Sequence, residues 1–326
     1  PPLEAGSAGG AGASALVTGY SNEHAAAEVA LSGWVGAEAT LLFSSGFAAN
    51  LGTIAALVGP GDLVLSDQLN HASIIDGCRL SGATVRVFAH LDTGRVEEIL
   101  RAERGSFQRC LIVTESYFSM DGTLADLRAL AAAAHGHDAS LMVDEAHALG
   151  VFGPAGRGRC AELGVRPDVL VGTLGKSVGL QGAFVAGSEL LRTFLWNRAR
   201  SFVFSTALSP ALARTVPSRV ELVRAADGER ARLWSLSEEL RGTLRSVGAE
   251  VRGEGPIVSW VLGSPRAAVD AQRDLEARGL FVAAIRPPTV PAGTARLRVT
   301  ASAPLAPSLA RIVSALRAVA AARSVP

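Results

Sequence analysis

Gly172-Thr-Leu-Gly-Lys-Ser-Val-Gly179 follows directly on the apolar run Asp168–Gly172 and holds Lys176, the single lysine of the 326-residue sequence. The run is short and does not alternate, which predicts a strand covered on both faces. The glycines beyond it allow a sharp turn and a close approach to a ligand. An amine at the carboxyl end of a parallel strand faces the crevice where open α/β sheets bind ligands. All 31 basic residues but this one are arginine, too strongly basic to serve as a neutral amine nucleophile. Carbonyl chemistry by an amine therefore falls to Lys176 or to the N-terminus. An Ala- and Arg-heavy coding bias explains why lysines are scarce and leaves open why one survives. A solvated surface lysine is the plain alternative, and the apolar, glycine-rich surroundings weigh against it.

Similar runs recur at Thr40–Phe43, Leu63–Ser66, Thr84–Phe88, Cys110–Thr114, Ser140–Val143, Ala183–Ala186 and Phe202–Phe204. Helical stretches lie between many of them, at Gly46–Leu57, Ser73–Leu80, Glu97–Glu103 and Leu127–His135. This alternation predicts an α/β fold, a mainly parallel central sheet flanked by helices. A long helical stretch with Pro217 inside it, Leu208–Ala226, is followed by a polar break at Asp227–Arg232. The order then changes: helix Leu233–Val247, strand Ile257–Leu262, helix Ala267–Arg278, strands Phe281–Ile285 and Leu297–Thr300, helix Leu309–Ala321. The expected division is a large domain over residues 1–224 and a smaller C-terminal α+β domain over 225–326.

Hydrophobic residues make up 48% and charged residues 19% of the chain, a composition that supports a packed core. A net charge of +1 gives no reason to expect nucleic acid or an anionic membrane as a partner. No run of about 18 uninterrupted apolar residues occurs, so no membrane span is expected. Cys78, Cys110 and Cys160 are widely spaced, which argues against a disulfide framework or a zinc site and for a cytoplasmic protein without a metal. The chain begins Pro-Pro, with no signal-peptide pattern behind it.

Chemistry-bearing residues cluster at strand ends. Asp144 ends an apolar strand in Leu141-Met-Val-Asp-Glu-Ala-His147, a costly place for a carboxylate unless a donor or cation meets it. A pyridoxal ring needs such a partner, because a carboxylate keeps the ring nitrogen protonated. His147 is placed to bond the ring's phenolic oxygen. Asp-Glu-Ala-His also occurs in helicases, but the phosphate loop those enzymes need contains a lysine, and none precedes Lys176. Phe43-Ser-Ser-Gly-Phe-Ala-Ala-Asn50 opens a helix after a strand, and free amides at Gly46 and Phe47 suit a phosphate. His71 follows Ser66-Asp-Gln-Leu-Asn70 and either stacks on an aromatic cofactor or caps the next helix. Ser119 and Thr206 also follow strand candidates.

The set Ser45-Gly-Phe-Ala-Ala-Asn50, Leu69-Asn-His-Ala-Ser-Ile-Ile-Asp-Gly77, Phe118-Ser-Met-Asp-Gly122, Val143-Asp-Glu-Ala-His147 and Thr173-Leu-Gly-Lys176 resembles the α-oxoamine synthases. These are fold-type I pyridoxal 5'-phosphate transferases that condense an amino acid with an acyl thioester and release CO2. The similarity spans essentially the whole chain in the expected order. It implies that Lys176 is the Schiff-base lysine and general base, and that Asp144 pairs with the ring nitrogen. It implies also that His71 stacks on the ring, that Ser119 and His147 contact the cofactor, and that Gly46, Phe47 and Thr173 hold the phosphate. Thr206 resembles the position that reaches the neighbouring subunit's phosphate, which implies a homodimer with shared active sites.

Ala284-Ile-Arg-Pro-Pro-Thr-Val-Pro-Ala-Gly-Thr-Ala-Arg-Leu-Arg-Val-Thr300 is similar to the family members that join L-alanine to a pimeloyl thioester. A sister activity on glycine and acetyl-CoA, or on another acyl thioester, is the nearest rival, and a lysine-less scaffold role is contradicted by Lys176, Asp144 and His147. A strand over 296–300 puts Arg296, Arg298 and Thr300 on one face. The resemblance gives the amino-acid carboxylate to Arg298, through a bidentate grip, and sets Arg286 and Thr289 near the acyl substrate. Three features depart from the family pattern: an N-terminal arm is expected to be missing, Ala15 replaces a larger polar residue, and Ala148 replaces a glycine.

Overall fold

The computed structural model describes residues 9–323. The chain divides into two compact units. The first runs to Tyr117 and resumes over Ala125–Ala226, and the second joins Phe118–Leu124 to the chain from Asp227 onward. The short 118–124 segment, expected within the large domain, thus groups with the later part of the sequence.

In the first unit, strands β1 (Ala39–Phe43), β2 (Leu63–Asp67), β3 (Thr84–Phe88), β4 (Cys110–Glu115), β5 (Ser140–Asp144), β6 (Val169–Thr173) and β7 (Ala183–Gly187) form one sheet. Its order is β1-β7-β6-β5-β4-β2-β3. Only β7 runs against the rest, antiparallel to both β1 and β6; the other neighbours are parallel. Every residue of β1, β2, β4 and β6 is buried, because helices cover both faces. Those helices are α1 (Asn22–Val35), α2 (Gly46–Leu57), α3 (Ala72–Ser81), α4 (Thr93–Glu103), α5 (Leu127–Gly136), α6 (Gly158–Leu163), α7 (Glu189–Arg198), α8 (Arg200–Val203) and α9 (Pro210–Arg224). β3 is the exposed edge, and it carries the Arg86–Glu103 ion pair on its outer side, a charge that discourages further strand pairing.

Two local expectations are corrected, and helix α1 was not among those expected. Phe202–Phe204 is not a strand: Phe202 lies in α8, and it and the N-cap Ala199, three apart, turn inward against α2 and Phe43. A three-residue apolar run fits either period, and the Ser201 Oγ bond to the Ala48 carbonyl (2.5 Å) fixes the helical one. The polar stretch Asp227–Arg232 is no break either. It forms the first turns of α10 (Asp227–Ser246), where Asp227–Arg230 and Glu229–Arg232 pair at i,i+3 and acidic groups meet the helix N-terminus. Helix α1 escaped the apolar reading because two of its five buried positions are His24 and Glu28. Glu28 accepts the edge amide of Leu42 and the guanidinium of Arg192, so its burial is compensated.

The second unit is an antiparallel sheet of order β10-β11-β9-β8, from β8 (Glu250–Arg252), β9 (Ile257–Gly263), β10 (Ala283–Ile285) and β11 (Ala295–Thr300). With it pack α10, α11 (Pro265–Glu276) and α12 (Leu309–Ala321). Alternation in β11 behaves as expected: Leu297 and Val299 enter a core with Leu240, Trp260, Leu275 and Leu316, while Arg296 and Arg298 take the other face. Arg296 is buried there by an ion pair with Asp121 of the 118–124 segment.

Candidate active site

Parallel strands deliver their last residues to one edge of the sheet, so Asp67, Glu115, Asp144 and Thr173 end β2, β4, β5 and β6 side by side. Asp144 is buried. Its Oδ1 accepts the Ala146 amide and its Oδ2 accepts Nδ2 of Asn50, both at 2.8 Å. A carboxylate has room for about four donors, so two bonds leave capacity for a cationic N–H. Asn50 comes from α2 and binds Ser73 Oγ at 3.0 Å with the same amide nitrogen. Ser73 in turn lies 2.7 Å from Nδ1 of His71.

His71 caps α3, accepting the Ser73 amide at Nδ1, and remains exposed. The two roles considered for it are compatible, since capping uses one ring edge and leaves a face open. Gly46 and Phe47 occupy the first two positions of α2, whose amides have no carbonyl partner within the helix. A Cβ at Gly46 would meet nothing within 4 Å, so the start of the helix is open on that side. Ser45 closes the turn by accepting the Ala48 amide.

Lys176 lies exposed in the β6–β7 connection, and its charge is felt by the Glu115 carboxyl. The connection is held on both sides: Ser177 Oγ donates to the Leu149 carbonyl at 2.6 Å, and Arg219 Nε donates to that of Val178 at 2.8 Å. Gly179 is required there, at φ +72° with the Arg219 guanidinium 2.7 Å from any Cβ. Thr173 is buried and accepts the Gly175 amide. His147 is half-buried in the turn after Asp144. Ala148 is fully buried next to it and is not among the residues of positive φ, so a Cβ in place of glycine adds no backbone strain. Thr206 is exposed, bridged to Ser14. Ala15 is buried against the Phe43–Phe202 cluster.

The remaining candidates belong to the second unit. Arg298 Nε donates to the Ser119 carbonyl at 2.6 Å and its NH1 to Thr300 Oγ1 at 3.1 Å. Part of the guanidinium is thus already oriented by the segment that carries Ser119. Arg286 and Thr289 share a turn, closed by a 3.0 Å backbone bond, beside a cavity of about 380 Å³. A larger cavity of about 990 Å³ in the first unit opens at the amino ends of β4, β5 and β6, the opposite edge of the sheet from Lys176.

Asn50, Ser73 and Glu115, like Asp67, were not singled out in the sequence. Glu115 is the register partner of Asp144 and is nearly fully buried. Burial first, and then the Asp144 carboxylate, push its carboxyl well above the ordinary value, against a bond from the His71 amide and the charge of Lys176. The signal that marked Asp144, an acid ending an apolar strand, marks Glu115 equally. Asn50 and Ser73 offered no such signal, since small polar residues inside helices are common.

The residues fit the cofactor expected of them: an amine, a buried carboxylate with spare acceptor capacity, and open helix amides for a phosphate. A family profile for aminotransferase class I and II matches residues 4–316. An 8-amino-7-oxononanoate synthase of Alkalilimnicola ehrlichii is 50% identical over 298 residues, covering 90% of this chain and 76% of that protein. Among solved structures, a serine palmitoyltransferase of S. paucimobilis with PLP–myriocin bound superposes with a TM-score of 0.88 at 33% identity, covering 95% of this chain and 80% of that one. The 8-amino-7-oxononanoate synthase of Francisella tularensis superposes with a TM-score of 0.82 at 27% identity, covering 92% and 87%.

Proposed function

This chain belongs to the aminotransferase class I and II family, and we propose that it is a pyridoxal 5'-phosphate-dependent acyltransferase, an 8-amino-7-oxononanoate synthase of biotin biosynthesis. Its substrates are L-alanine and a pimeloyl thioester, and its co-products are CO2 and the free thiol. The observation that carries the reading is Asp144, a buried carboxylate whose Asn50 and Ala146 bonds aim it without saturating it. Bound cofactor supplies an electron sink for the carbanion made on the amino acid.

The chain's own residues do the rest. Asp144 holds positive charge at the ring nitrogen, and the α2 amides of Gly46 and Phe47, with Thr173, bind the phosphate. Lys176 Nζ would hold the cofactor at its aldehyde carbon, and as a free amine it would take the alanine Cα proton. His71 covers the ring, and Ser119 and His147 contact the cofactor. Arg298 takes the amino-acid carboxylate, and Arg286 and Thr289 take the acyl thioester. A homodimer, with Thr206 serving the neighbouring phosphate, and a cytoplasmic setting complete the proposal. Among the described residues no helix is long and apolar enough to cross a membrane.

The likeness to serine palmitoyltransferases favours one second reading, a sister condensation with another amino acid and acyl thioester. Purified protein with pyridoxal phosphate is expected to turn over L-alanine with pimeloyl-CoA faster than glycine with acetyl-CoA or L-serine with palmitoyl-CoA. A preference for either other pair overturns the assignment. Lys176→Ala should lose at least about 100-fold in rate, the usual scale of a positioned base; wild-type turnover by that variant would sink the scheme.

A further inference from the structure

We infer that Asn50 and Ser73 are positioning residues that lock His71 as the neutral tautomer protonated at Nε2, through a hydrogen-bond chain that begins at Asp144. The inference follows from donor and acceptor accounting along four side chains. An ionised carboxylate only accepts, so the end of the Asn50 amide turned toward Asp144 Oδ2 is the NH2 group. That same nitrogen is 3.0 Å from Ser73 Oγ, so the amide's second hydrogen points there and the hydroxyl accepts it. A serine hydroxyl has one hydrogen. Its remaining close partner is His71 Nδ1 at 2.7 Å, and the hydrogen goes to it.

The Ser73 backbone amide donates to the same Nδ1 at 3.2 Å. Two donors converging on one ring nitrogen require a lone pair there, which places the proton of the neutral ring on Nε2. The buried Oδ1 of Asn50 has no hydrogen-bond partner, as follows when the amide's orientation is set by its nitrogen. The chain therefore transmits the charge of Asp144 on β5, through α2 and α3, into a choice of tautomer at an exposed imidazole.

The consequence rests on the proposed function. With Nε2 protonated, His71 faces the reacting groups as a directed donor to a substrate oxygen, a carboxylate or a thioester carbonyl. It does not compete with Lys176 for the Cα proton.

The tautomer can be read without cofactor or substrate. Long-range 1H–15N correlation spectra of 15N-histidine-labelled, cofactor-free protein, at a pH where imidazoles are neutral, distinguish pyrrole-type from pyridine-type nitrogens. His71 is assigned as the signal lost in His71→Gln. The expected result is a pyridine-type Nδ1 and a pyrrole-type Nε2; the reverse pattern overturns the inference. Ser73→Ala should move the two nitrogen shifts toward each other, and Ser73→Thr, which keeps the hydroxyl, should leave them near wild type. Unmoved shifts in Ser73→Ala would remove the hydroxyl from the lock. A protein with the expected tautomer that condenses none of the substrate pairs would leave this inference standing and overturn the proposed function alone.

Discussion

At the residue scale, Asp144 and Glu115 are neighbours across β4 and β5 with different surroundings. Asp144 receives two good donors, whereas Glu115 has a buried Oε1 without a hydrogen-bond partner. Neighbouring carboxylates do not both ionise cheaply, and burial, then the Asp144 carboxylate, push the Glu115 carboxyl well above its ordinary value. Above the ordinary value of 4.5 the unfolded chain releases this group's proton while the folded chain holds it. Stability from this group is therefore full in acid and is lost as pH rises toward its folded value. Glu115→Gln, which mimics the neutral acid, should raise the melting temperature of cofactor-free protein at about pH 8 and leave it near wild type below about pH 4.5. Calorimetry across that range checks it, and an equal shift at both ends would mean that no proton is involved. The sequence announced Asp144, His147 and Lys176 because each has a chemistry uncommon in its setting. It concealed Asn50 and Ser73, whose importance lies in which atoms they face.

At the element scale, the 118–124 segment is the least expected feature. Its dependence on the second unit is concrete: Asp121 pairs with buried Arg296, the Ser119 carbonyl accepts from Arg298, and the Gly122 carbonyl accepts the Glu254 amide at 2.8 Å. Gly122 itself sits at φ +68°, where a Cβ would lie 2.6 Å from the Ile257 carbonyl. Asp121→Ala leaves the buried Arg296 guanidinium without its carboxylate and with the Thr294 carbonyl as its remaining partner among the described residues, an expected cost of about 3–5 kcal/mol in urea unfolding. Adding Arg296→Met to that variant should recover much of the loss, because an apolar pair of similar volume often replaces a buried ion pair at little cost. No recovery would show that the segment is held by its backbone instead. The helices α2 and α12 and strand β3 fall where the sequence periodicity placed them. The errors sit where a short or charged stretch fits two periods, at Phe202–Phe204 and Asp227–Arg232.

At the scale of the whole molecule, cofactor and folding are linked. A ligand held only by the native state stabilises it by about 2.7 kcal/mol at 100 times its Kd. Pyridoxal phosphate should therefore raise the melting temperature in a concentration-dependent way. Asp144→Ala should weaken the effect, and inorganic phosphate alone should reproduce only part of it. An unchanged melting temperature at saturating cofactor would contradict the site. The sequence by itself determined the class of fold, most of the order of strands and helices, and the amine, acid and imidazole proposed to carry chemistry, because apolar period and residue type are local properties. Three things belonged to the tertiary structure alone: the pairing of Glu115 with Asp144, the capture of residues 118–124 by the second unit, and the chain from Asp144 through Asn50 and Ser73 to His71. Each joins residues distant in sequence, and hydrogen-bond direction and charge coupling exist only once folding has brought those atoms within reach.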